Sequence, residues 1–100
     1  MADFKLELPK GIPPSDRAEL ARALAVSARV ETGTAQMRDF DAAQTLFVVA
    51  ATVQTIDILW HWFQAARAKG NKWNVVVTMA NGDEVHLERI SLDELKKLID

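Results

Sequence analysis

Asp57 and His61 stand four residues apart in an apolar setting, the spacing that puts two side chains on neighbouring turns of one helix face. A carboxylate beside an imidazole orients the ring and raises its basicity, the working core of many general-base sites. Such a pair next needs a nucleophile. Serine occurs only at positions 15, 27 and 91, and there is no cysteine and no tyrosine. Ser15 and Ser91 fall where helix caps are expected, which leaves little for nucleophilic chemistry. The pair therefore reads as a polar contact along a helix seam. A metal site is not expected, because His61 and His86 fall on different elements and no thiolate can join them. No glycine-rich phosphate loop occurs. The chain reads as a non-enzyme that needs no cofactor.

The pair belongs to the longest apolar run of the chain, Ala42 to Phe63, which contains no glycine, proline, lysine or arginine. Beyond it, Arg67-Ala68-Lys69-Gly70 supplies a basic last turn and a glycine stop. Length and composition predict one long apolar central helix over 41–69. Leu46, Val49, Val53, Ile56, Trp60 and Phe63 step by three and four into one stripe, while Phe47, Ile58 and Trp62 lie outside it. Trp60 and Trp62, two apart, point to different sides. A helix apolar on more than one side hides its surplus in a core, a partner or a membrane. Phe47, Ile58, Trp60 and Trp62 are accordingly the expected interface residues, with the tryptophans as anchors.

At 100 residues the chain is expected to be a single domain, 1–100, and with 49% apolar residues it is too hydrophobic for disorder. A net charge of -2 and a pI of about 5.6 argue against nucleic acid as a partner. The absence of cysteine removes disulfides and suits a cytoplasmic location. MADFKLELPK lacks the basic-then-apolar layout of a signal peptide, so secretion is not expected.

Taken in order, Phe4, Leu6 and Leu8 alternate with charged residues and predict a strand over 3–8. Pro9 to Pro14 forbids helix until Ser15. Ser15 or Asp16 then caps a helix over 15–31, with Asp16 and Glu19 at capping-box spacing and Gly33 as the stop. A connector with Arg38, Asp39 and Asp41 leads to the central helix. After Gly70 the period changes to two and predicts a hairpin over 73–89. A three-residue loop, Ala80-Asn81-Gly82, pairs Val77 with Val85 and Val75 with Leu87, whereas a two-residue loop would set Val77 against His86. Ser91 and Glu94 form a capping box for a last helix over 91–99. The sum is an α+β fold: a small three-stranded, partly antiparallel sheet with helices packed on one face.

The aliphatic segment, its tryptophan-bearing end (Leu59-Trp60-His61-Trp62-Phe63), the basic stop at Arg67, the valine strand, the Asn81-Gly82 turn and the capped last helix have a collective likeness. Over roughly Phe40 to Ile99 and the opening strand, the chain resembles the effector-associated constant component family of small bacterial proteins. It departs from that pattern at Thr52-Val53-Gln54-Thr55, where a glycine-rich stretch is expected. The resemblance implies a non-catalytic common component of bacterial conflict systems, which deploy varied effectors. With the surplus apolar surface it leads to the expectation of an adaptor-like interaction module that docks to an effector or to itself as a homo-oligomer. The alternative expectation is a membrane-inserting or membrane-perturbing component using the helix 42–63, long enough to cross a hydrocarbon core of about 30 Å. Asp57, His61, Gln44 and Gln54 weigh against that use.

Overall fold

The computed structural model describes residues 2–9, 11–34 and 42–98. The connector at Arg38, Asp39 and Asp41 and Ile99, the last position of the expected C-terminal helix, lie outside them. The first strand, β1 (Ala2–Pro9), forms as its alternation demands, with Phe4, Leu6 and Leu8 buried between more exposed charged residues.

The expected helix over 15–31 is shorter, and its second half is a strand. Helix α1 spans Pro14–Leu24 and starts on the proline itself. A proline at the first helical position brings a preset φ and no unsatisfied N–H, so no side-chain cap from Ser15 or Asp16 is needed. The Pro13 carbonyl instead accepts the N–H groups of Asp16 (3.0 Å) and Arg17 (3.1 Å). After Leu24 a turn leads into β2 (Arg29–Thr34). There Val30, Thr32 and Thr34 alternate with Arg29, Glu31 and Gly33, a strand pattern rather than a helical one.

The expected central helix over 41–69 is likewise two elements, strand β3 (Ala42–Ala51) and helix α2 (Val53–Ala68). Leu46 and Val48 are buried while Phe47 between them is exposed, a period of two. Thr45, Val48 and Val49 are β-branched, and β3 lies between β1 and β2, so ladder partners stand on both sides. The change of period happens over three residues. Ala50 has φ 59°, the left-handed region, and β3 carries one residue more than β1 opposite Asp3, a β-bulge. The Asp3 carboxylate accepts the Ala50 N–H at 3.0 Å. Thr52 then caps α2, its N–H donating to the Thr55 hydroxyl at 3.1 Å. Thr55 is fully buried, and its hydroxyl lies 2.7 Å from that of Ser27, tying this cap to the turn before β2. Among the described residues no helix is long and apolar enough to cross a membrane, so the insertion alternative loses its helix 42–63.

The hairpin keeps the expected register over a shorter span. Strands β4 (Val76–Met79) and β5 (Glu84–His86) pair Val77 with Val85. The Leu87 N–H reaches the Val75 carbonyl at 3.1 Å, and Gly82 sits at φ 96° in the three-residue loop. Leu87–Arg89 form a single 3-10 turn. Helix α3 (Leu92–Lys97) begins at the Ser91–Glu94 capping box, with the Glu94 N–H donating to Ser91 Oγ at 3.3 Å.

The sheet has five strands, not three, in the order β2-β3-β1-β4-β5, every pair antiparallel. The two extra strands are those hidden in the segments that read as helix. From β1 to β4 the connectivity is that of the split βαβ, or ferredoxin-like, plan. Leu20, Leu24, Ile56, Leu59, Phe63 and Leu95 from the three helices join the inward strand residues in one core. The other face of the sheet has no described helix over it.

Ala50 holds a backbone conformation that costs a non-glycine residue about 1–2 kcal/mol. Glycine would remove that strain while returning about 0.4–1 kcal/mol to the unfolded chain. Ala50→Gly should therefore stabilise the protein by about 0.5–1 kcal/mol and raise Tm by roughly 2–8 °C in thermal unfolding. A lowered Tm would show that the junction is not strained.

Candidate functional site

Alternation along each strand sends every second side chain to the uncovered face. The register aligns these positions in rows. One row runs Glu31, Phe47, Lys5, Thr78, Glu84, and the next Gly33, Thr45, Glu7, Val76, His86. Phe47 is 43% exposed. Beside it a shallow cleft of about 400 Å³ is bordered by Asp3, Lys5, Glu31, Val49, Thr78 and Met79, next to the Ala50 bulge. The Thr78 hydroxyl is buried at this face without a hydrogen-bond partner among the described residues. Charge is mixed across the face, with acids outnumbering bases.

The four expected interface residues do not share a surface. Phe47 lies on β3 and faces outward, whereas Ile58, Trp60 and Trp62 lie on α2, which covers the opposite side of the sheet. All three α2 residues are half-buried against the core. Trp62 stacks on Trp73 with ring centroids 5.9 Å apart, which fixes the loop before β4 against the helix. Trp60 leans on Phe63 at 6.4 Å. The two tryptophans do diverge, as their spacing requires, but each finds a neighbour inside this chain.

Asp57 and His61 are close without forming an acid–imidazole pair. His61 Nδ1 lies 2.7 Å from the Asp57 backbone carbonyl, not from its carboxylate. That carboxylate pairs with Lys96 at 3.1 Å and joins α2 to α3. The helical spacing was right; a cation from another element took the side chain. Among the described residues no three metal-ligating side chains cluster.

A second cleft, of about 320 Å³, opens where α2 ends, between Phe63, Arg67, Lys72, Trp73 and Glu88. The Arg67 guanidinium sits 5.8 Å from the Phe63 ring, a cation–π contact. Among the described residues this cleft exposes no large hydrophobic side chain, whereas the open sheet face carries Phe47, and that face remains the stronger candidate. The one-sided alternation of the hairpin already puts Val76, Thr78, Glu84 and His86 on its wetter face; what sequence reasoning missed is that Lys5 and Glu7 of β1 join them in one surface. The alternation in β1 and β4 carried that signal; the register that aligns the strands did not show.

Comparison of the chain with family models, with curated proteins and with solved structures finds no match in any of the three.

The division of roles is checked by two truncations. Trp62→Ala should cost roughly 2–3 kcal/mol by removing the stack on Trp73, whereas Phe47→Ala should cost less than about 1 kcal/mol. Urea unfolding measures both. Equal losses would place Phe47 in the folded core.

Proposed function

We propose that this chain is a non-catalytic protein-interaction module whose docking surface is the open face of the sheet around Phe47. The observation that carries the reading is Phe47 itself, an aromatic 43% exposed on a sheet face with no described helix over it. Exposed aromatics are favoured anchors of protein-binding patches, and polar groups around them set which partner fits. Here Lys5 of β1 and Glu31 of β2 are the direct cross-strand partners of Phe47, and Thr45 and Val49 lie two residues away along β3.

The chemistry favours protein over RNA. Sheets of this connectivity that bind single-stranded RNA stack bases on two or three aromatics and attract phosphates with basic residues. On this face Phe47 is the one described aromatic, and Asp3, Glu7, Glu31 and Glu84 outnumber Lys5 and Arg29. The resemblance to the effector-associated constant component family supports a more specific role. In that role the chain is the adaptor-like part of a bacterial conflict system and docks to or activates an effector.

Site-specific photo-crosslinking tests the surface. A benzophenone side chain at position 47, in cells that carry the native neighbours of this chain, should give protein adducts, self or foreign. The same probe at Gln54, exposed on α2, should not. Adducts from position 54 and none from position 47 would remove the open face as the docking surface.

A further inference from the structure

Although acids outnumber bases on the open face, two of its residue pairs can be matched by the same pairs of a second copy. In β1, Lys5 is followed two residues on by Glu7, and in β5, Glu84 is followed by His86, all four at outward positions. These pairs occupy the same two neighbouring rows, with Phe47 and Thr45 at the corresponding positions of β3. We infer that the occupant of this face is a second copy of the chain, docked face to face about a two-fold axis. That axis runs across the strands, midway between the two rows.

Such an axis lays each strand over its own copy, running the opposite way. Lys5 then meets Glu7 of the second copy, and its own Glu7 meets the second copy's Lys5, because a two-fold contact is always reciprocal. Glu84 is set over His86, and Phe47 over Thr45. Twisted sheets stack in this aligned manner, about 10 Å apart, in β-sandwiches. The other simple axis, along β1, would put Lys5 on Lys5 and Glu7 on Glu7, and like charges at close range oppose docking. Covering Phe47 and Val76 removes apolar surface from water, while the ion pairs act chiefly to select this register. The inference rests on the open face being the docking surface and adds the identity of the partner.

The test is light scattering coupled to size-exclusion chromatography on the full chain, alone and with the variants K5E and E7K. The wild type should run at twice the 11.1 kDa of one chain. Each variant should weaken self-association by about tenfold or more, because it faces a like charge across the axis. An equimolar mixture of the two should recover the dimer, since position 5 of each chain again opposes the other charge at position 7. An ion pair within one chain cannot produce that recovery. Circular dichroism checks that both variants fold; if either does not, the milder K5Q and E7Q replace them, with a weakened dimer as the expected result. A wild type of single-chain mass at every concentration, variants that keep the dimer, or a mixture that stays monomeric would each overturn the inference. A monomer that still crosslinks foreign proteins from position 47 removes only the second copy, whereas loss of both results removes the docking surface as well.

Discussion

Everything in this fold follows from where the apolar run stops being a strand. Between Ala50 and Thr52 the chain takes one residue in the left-handed region, inserts a bulge opposite Asp3 and opens a helix. The Asp3 carboxylate and the Thr55 hydroxyl take the two backbone N–H groups, of Ala50 and Thr52, within this junction. Each of these N–H groups is held by a side chain rather than by a ladder carbonyl, so these side chains are part of the junction. Thr55 also reaches Ser27 and so ties the junction to the turn that begins β2.

With the break in place, β3 fits between β1 and β2, and α2 returns across the face it has just left. The inward residues of the strands then close one core with Ile56, Leu59 and Phe63. The alternation that buries Leu46 and Val48 necessarily turns Phe47 outward. The exposed aromatic is thus a consequence of making a strand from an apolar segment. As a helix, the same segment would have put Phe47 on the same element as the tryptophans. The open face and the covered face also use different chemistry. On the helical side, Trp62 finds Trp73 and Asp57 finds Lys96 within the same chain.

Much of the local structure was legible. The β1 alternation, the three-residue hairpin loop with Gly82 at φ 96°, and the Ser91–Glu94 cap each rest on residues within a few positions of one another. The strand identity of β2 and β3 was not legible to a reading led by helix signals. Ala-rich flanks around Arg29–Thr34 and the absence of glycine or proline from Ala42 to Phe63 concealed two boundaries. A glycine would ordinarily mark a left-handed residue, and here an alanine fills that place. The marker that did exist is the Thr52–Thr55 spacing, a capping pattern inside a run that read as uninterrupted helix.

The sequence by itself determined the α+β composition, the hairpin register and the last helix. It also determined that apolar surface would exceed what one amphipathic helix can hide. Only the tertiary structure decided that the surplus is shared between a strand and a helix, and that Phe47 and the tryptophans part company. It also decided that Asp57 pairs with Lys96 rather than with His61. The physical reason is range. Caps, turns and alternation depend on neighbours along the chain, whereas a short apolar segment takes the period of whatever backbone pairs with it, and β3 is held between two strands from elsewhere in the sequence.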